Sequence, residues 1–263
     1  MVLRNEKMRL GSKAIKSLIS FMLFVTIVGA LAGCTDPYAP KIVSPVATTT
    51  EVIGHSVQGR PIECHRFGSG PETILFLASI HGSEPAGTPL MWKLIDQIQK
   101  DRRLLNGRTI LVVPVANPDG YAAKIRENVN EVDLNRNFPA DNRINITEYG
   151  TRPLSEPESK ALYDLVMSSR PARVVTLHQP LKCIDYDGPG QAIAENMGRV
   201  MPLPVTKLGA RPGSMGAYVG ETLGIPIITV ELLATDHRLT ADELWARYGR
   251  GLVAAIVYPE VLY

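Results

Sequence analysis

Four stretches of the chain are apolar without alternation: residues 73–78, 109–115, 174–177 and 225–233. A strand with one wet face alternates apolar and polar side chains, whereas a strand covered on both faces does not. The four runs therefore predict a largely parallel central sheet with helices on both sides. Ahead of them, residues 51–62 break at Gln58-Gly59 and predict two short strands around a turn, with His55 on a solvated edge. Helix start signals fall between the apolar runs. Ser155-Glu156-Pro157-Glu158 and Thr240-Ala241-Asp242-Glu243 are capping-box patterns. Pro85 suits the first turn of a helix over residues 84–99, and Ser214 the cap of a helix that ends at Gly224. The fold class this predicts is α/β, a single domain with a mostly parallel mixed sheet flanked by helices.

With 263 residues, 45% of them hydrophobic and 21% charged, the chain is long and apolar enough for one substantial core. Its formal charge of +2 is misleading, because Arg4, Lys7, Arg9, Lys13 and Lys16 crowd into the first 33 residues with only Glu6 against them. The rest is near neutral and slightly acidic. No basic field remains for a nucleic-acid partner. The N-terminal segment instead has the order of an export signal: basic residues, then a predominantly apolar run of 15 residues over 18–32, then small ones. That run is short of the roughly 20 residues a permanent spanning helix needs. Leu31-Ala32-Gly33-Cys34 resembles the bacterial lipobox, which implies a signal peptide over residues 1–33 and lipidation of Cys34; an uncleaved signal anchor is the alternative. Thr35 rather than Asp after the cysteine favours the outer membrane under the sorting rule of enteric bacteria. Residues 34–50, rich in Pro, Thr and Ala, read as a flexible tether, and residues 51–263 as the folded domain. Cys64 and Cys183 are the cysteines left in the mature part, and whether they pair stays open. Oligomeric state has no signature in the sequence.

Candidate chemistry sits at the ends of the apolar runs, where α/β folds place their ligands. His81 and Glu84 follow the first run at a spacing common to half of a zinc site and to ordinary solvated loops. Asn117-Pro118-Asp119-Gly120 closes the second run with turn residues. Arg126 and the string Val132-Asp133-Leu134-Asn135-Arg136-Asn137-Phe138 then gather two guanidiniums and an amide, a combination suited to carboxylate recognition. His178 ends the third run. Glu231 interrupts the fourth, and a carboxylate in an apolar strand needs a partner or a function. His81, Asn117, His178 and Glu231 are thus expected to share one crevice.

In this order the motifs resemble the zinc carboxypeptidase family over roughly residues 51–233, most specifically over 133–138. Within it they resemble the murein peptide amidase branch, which cuts the γ-D-glutamyl to meso-diaminopimelate bond of cell-wall peptides. Ser155 to Glu158, Pro180-Leu181-Lys182-Cys183-Ile184-Asp185 and Pro212-Gly213-Ser214-Met215-Gly216 carry that narrower likeness. The resemblance implies one Zn²⁺ held by His81, Glu84 and His178, with Glu231 as general base and Arg126 stabilising the oxyanion. Asn135 and Arg136 become the clamp on a substrate carboxylate, and Asp133 orients His81. It further implies a peptidoglycan peptide as substrate, met outside the cytoplasm by a membrane-anchored enzyme. A loop over residues 182–188, with Asp185 and Asp187, is the candidate for reading the ammonium of diaminopimelate. Two departures stand out: Glu131 replaces the family's glycine, and no tyrosine falls where ordinary carboxypeptidases place one over the substrate. A carboxypeptidase acting on ordinary peptides and an inactive peptidoglycan-binding lipoprotein are the competing functions.

Overall fold

The structure is a computed structural model that describes residues 48–260 and 262. The segment expected to be a signal peptide, Cys34, and the expected tether up to residue 47 lie outside the described residues. Seven strands form one mixed sheet in the order β1-β2-β4-β3-β5-β7-β6. They are β1 (Thr48–His55), β2 (Pro61–Phe67), β3 (Glu72–Ala78), β4 (Arg108–Val113), β5 (Arg173–His178), β6 (Leu181–Asp187) and β7 (Ile227–Leu233). The four apolar runs become β4, β3, β5 and β7, side by side and all parallel, while β1, β2 and β6 add antiparallel edges.

Both faces of the central strands are covered, which explains the missing alternation. Ile74, Phe76 and Ala78 of β3 join the core under α1 (Gly87–Lys100), α4 (Gln191–Gly198) and α5 (Ala241–Val257). Leu75 and Leu77 join the opposite core under α3 (Pro157–Ser169), with Phe138 and Tyr218. The helices bury faces of helical period: Leu90, Met91, Leu94, Ile95 and Ile98 in α1, and Leu244, Tyr248, Leu252, Ala255 and Ile256 in α5.

Several expectations need correction. β1 starts at Thr48, so the last three residues assigned to the tether are strand, paired with Phe67, Arg66 and His65 of β2. α1 starts at Gly87, not residue 84, which leaves Glu84 and Pro85 in the preceding loop. The Thr240/Glu243 capping box forms, but the Ser155/Glu158 one does not. Glu158 instead turns inward, accepting from Val57 N at 3.0 Å and Asn128 Nδ2 at 3.2 Å. Asn117-Pro118-Asp119-Gly120 opens a short helix, α2 (Pro118–Ala123), with Asn117 Oδ1 accepting from Gly120 N. Asp119 ties the turn after β1 to this helix by accepting from Ser56 Oγ and Gln58 N. Ser214 does act as a cap, accepting from Ala217 N at 3.0 Å ahead of a π-helical segment, Gly216–Thr222. The stretch expected as a loop over 182–188 is mostly β6, paired antiparallel with β7. Cys64 and Cys183 are free and buried on β2 and β6, with four strands between them.

Candidate metal centre and substrate cavity

The carboxyl ends of β3, β5 and β7 build the site. Parallel register sets His178 of β5 beside Glu231 of β7, and Leu177 beside Ala78 of β3. The chain leaving β3 then carries His81 and Glu84 across these strand ends. Its path is tight: Gly82 N donates to Arg126 O, and a Cβ on Gly82 would fall 1.9 Å from the backbone carbon of Gly120. Only glycine fits there. From the other side Gln179 N donates to Glu84 Oε2 at 3.0 Å. The Gln179 side chain accepts from Ala86 N and donates to Leu233 O, locking the loop to the end of β7.

Three donors converge in the space so framed. His81 Nδ1 lies 2.9 Å from Glu84 Oε1, His178 Nδ1 lies 3.0 Å from Glu84 Oε2, and the two imidazole nitrogens are 3.2 Å apart. All three residues are buried, and they are the metal-capable cluster found among the described residues. Tetrahedral nitrogen and oxygen donors about 2.0–2.1 Å from a zinc ion sit roughly 3.3 Å from one another, so the donor set and its spacing fit zinc. Asp133 Oδ1 accepts from His81 Nε2 at 3.0 Å, which leaves Nδ1 with the lone pair a metal needs.

The electrostatics demand a positive charge at this point. Burial disfavours charge on His81, yet Asp133 and Glu84 outweigh it and raise its pKa. Burial pushes the Glu84 carboxyl up, but hydrogen bonds from His178 and His81 hold it well below the usual carboxylate range. Asp133 is held low against its own burial in the same way, by His81, Arg126 and Arg136. Carboxylates that favour a proton on His81 also favour a divalent cation in its place.

Glu231 stands apart from this cluster. It is 9% exposed, accepts from Leu181 N at 3.3 Å, and burial, reinforced by the charge of Glu84, raises its pKa above 4.5 while His178 and His81 pull the other way. A carboxylate with a raised pKa at the rim of a cavity is suited to moving protons.

A cavity of about 420 Å³ opens over the centre, lined among others by His81, Glu84, Arg126, Asn135, Arg136 and Glu231. Arg126 spends three of the five N–H donors of a guanidinium on Glu84 and Asp133, and two remain. Asn135 accepts from Met215 N at 2.9 Å, which leaves its amide N–H₂ for the cavity. Asp185 lines the cavity but spends Oδ1 on Leu208 N at 2.8 Å. Asp187 is the freer carboxylate: it is 3% exposed, its Oδ1 has no hydrogen-bond partner, and the Lys207 ammonium stands 3.6 Å away. Burial, with Asp185 beside it, pushes Asp187 up to about 6. Asn117 does not reach the cavity. It is fully buried and holds the loops, donating to Ile80 O and Glu127 O.

With this geometry described, comparison with known proteins gives one answer. The zinc carboxypeptidase family matches residues 41–187, more than half of the chain. The chain belongs to the zinc carboxypeptidase family. As such it is a zinc metallopeptidase or amidase, and His81, Glu84 and His178 are the residues placed to hold its metal. Murein peptide amidase A of Escherichia coli (strain K12) is 33% identical over 233 residues, covering 81% of this chain and 91% of that protein. The crystal structure of murein-tripeptide amidase from Escherichia coli O157 is 30% identical, with a TM-score of 0.61 over 80% of this chain and 92% of that one. Carboxypeptidase A from Helicoverpa armigera, at 20% identity, a TM-score of 0.70 and coverage of 82% and 70%, shares the fold.

Within this member of the zinc carboxypeptidase family, Glu131 keeps the turn expected of a glycine, with φ at +61°. Three cavity residues escape sequence reasoning. Tyr149 has its ring centroid 5.8 Å from the Arg136 guanidinium, and its carbonyl is held by Asn137 and Arg143. Nothing local in the sequence marks it. Gln179 follows His178 directly, and its burial at 7% exposure is visible only in the structure. Arg211 is bracketed by turn formers, Gly209 and Pro212, which is the one signal that points to it.

Proposed function

We propose that the enzyme is a murein peptide amidase. It hydrolyses the γ-D-glutamyl to meso-diaminopimelate amide bond of peptidoglycan peptides, outside the cytoplasm, from a lipid anchor at Cys34. The observation that carries this reading is the pairing, in one cavity, of a carboxylate clamp at Asn135 and Arg136 with the buried carboxylates Asp185 and Asp187. A diamino diacid offers groups for both. An ordinary apolar or aromatic C-terminal residue offers neither carboxylate a charged partner, and leaves Asp187 with only the Lys207 ammonium at 3.6 Å. The likeness to murein peptide amidase A over most of both chains supports the same assignment. The anchor rests on the apolar run over 18–32 and the lipobox-like Leu31 to Cys34.

The residues divide the work as follows. Zinc, when bound, supplies a Lewis acid that activates water and polarises the amide carbonyl. Glu231 takes the proton from the attacking water and delivers it to the departing amine of diaminopimelate. The two uncommitted N–H donors of Arg126 face the developing oxyanion. Asn135 and Arg136 fix the carboxylate beside the scissile bond, and Asp187 receives the distant ammonium. Comparing kcat/KM on L-Ala-γ-D-Glu-meso-diaminopimelate with that on plain L-peptides tests the reading. A clear preference for the first supports it, and a preference for the second replaces it with an ordinary carboxypeptidase.

Asp187 gives a second expectation. In wild type KM for the diaminopimelate peptide improves as pH rises through about 6, because Asp187 must ionise to hold an ammonium. Asp187→Asn is expected to raise that KM about tenfold or more and to flatten its pH dependence. The folded-state pKa lies above the ordinary 3.8, so ionisation costs the folded state stability as pH climbs between the two values. The asparagine variant is therefore expected to melt higher than wild type at neutral pH. Parallel steady-state kinetics and thermal melts check both halves.

A further inference from the structure

The cavity holds three guanidiniums, and their commitments differ. Arg126 is tied to Glu84 and Asp133. Arg136 donates to the backbone carbonyl of Asn135 and lies over the Tyr149 ring. Arg211 has neither a hydrogen bond nor an ion pair from its side chain to any of the described residues, although it lines the same cavity.

The backbone around Arg211 is far from free. Leu208 N donates to Asp185 Oδ1 at 2.8 Å on one side of it. Asn142 donates to Ala210 O and accepts from Gly213 N at 3.1 Å, and Ser214 N donates to Arg211 O. Gly213, at φ +65°, packs so closely that a Cβ there would fall 2.3 Å from Arg136 O. The segment carrying Arg211 is thus pinned to Asp185 before it and to the Arg136 backbone after it. An exposed arginine on a mobile loop is ordinary; an unpaired one on a loop anchored to two substrate-binding segments is placed for a ligand.

We propose that Arg211 binds the second carboxylate of the diamino acid, the one beside the distant ammonium. The proposal rests on the function assigned above. At its distant end meso-diaminopimelate carries an ammonium and a carboxylate on one carbon, so a site that reads it whole needs an anion and a cation close together. Asp187 provides the anion, and Asp185, on the same strand, ties the Arg211 loop next to it. The carboxylate nearer the scissile bond is already matched by Asn135 and Arg136. Arg211 accordingly separates diaminopimelate from lysine, which has the ammonium but lacks the second carboxylate. A guanidinium meets a carboxylate through two parallel hydrogen bonds, a geometry that lysine or glutamine in its place does not reproduce.

The test is the ratio of kcat/KM on γ-D-glutamyl-meso-diaminopimelate to that on γ-D-glutamyl-L-lysine, measured for zinc-loaded wild type, Arg211→Ala and Arg211→Lys. The expected result is a ratio that falls about tenfold or more in Arg211→Ala, mainly through KM on the diaminopimelate substrate, with partial recovery in Arg211→Lys. A thermal melt matching wild type shows that each variant folds. An unchanged ratio, or an equal loss on both substrates, overturns the role of Arg211 and leaves the amidase assignment standing. A wild-type enzyme that cleaves neither γ-D-glutamyl bond overturns that assignment, and the role of Arg211 with it.

Discussion

Glu231→Gln, purified with its full complement of zinc, is expected to lose about 10²- to 10⁴-fold in kcat with little change in KM. The expectation follows from position. Glu231 pairs in register with His178 on the neighbouring strand, so it stands beside the metal ligands without being one of the convergent donors. Glutamine keeps the shape and the hydrogen bond from Leu181 N but removes the basic oxygen. Burial raises the Glu231 pKa above 4.5, so the acid limb of the wild-type kcat/KM profile is expected at a higher pH than an exposed glutamate would give. Activity should fall as pH drops through that limb, because the base must be ionised to accept a proton. Stability should not suffer, since a buried charge is removed. Steady-state rates, metal content and a melt on one preparation check all three statements; a variant that turns over at the wild-type rate removes Glu231 from the chemistry.

The second large effect concerns the metal. His178→Ala removes one of three convergent donors from a pocket that holds two carboxylates, Glu84 and Asp133, within hydrogen-bond reach of His81. The variant is expected to purify without stoichiometric zinc and without measurable activity. Wild type stripped by a chelator should lose activity and regain it with one equivalent of zinc. A ligand present at 100 times its dissociation constant stabilises the folded state by about 2.7 kcal/mol, which for a domain of this size lifts the melting midpoint by about 5–10 °C. Zinc should produce a shift of that order in wild type and none in His178→Ala. Affinity should weaken toward acid pH, where protons compete for His81, whose pKa is raised by Asp133 and Glu84 against its burial.

How much of this was legible beforehand depended on where each residue's partners lie along the chain. The central strands were readable because burial on both faces leaves a local trace, the unbroken apolar run. β6 was not: Lys182, Asp185 and Asp187 are polar, and the strand is an edge that turns its carboxylates toward the cavity, so its composition records the site instead of the sheet. The Thr240 capping box was local and formed. The Ser155 pattern failed because Glu158 found better partners in Val57 and Asn128, which only the fold brings near. Glu231 was legible as a carboxylate out of place in an apolar strand, His81 and His178 by their strand-end positions, and Glu84 only by its spacing from His81 and the family resemblance; the structure brings all four around one cavity. Asn117 carried the same signal and serves the backbone instead. Tyr149, at the end of a single 3-10 turn, has no local sequence mark, and Arg211 has only the turn formers Gly209 and Pro212 beside it.

The account stands or falls on the bond that is cut. Zinc-loaded enzyme given L-Ala-γ-D-Glu-meso-diaminopimelate should yield, by mass spectrometry, free diaminopimelate and the dipeptide L-Ala-D-Glu, with metal analysis of the same sample giving one zinc per chain. An intact tripeptide beside ready removal of C-terminal residues from plain L-peptides, or equal turnover in metal-free protein, would contradict it.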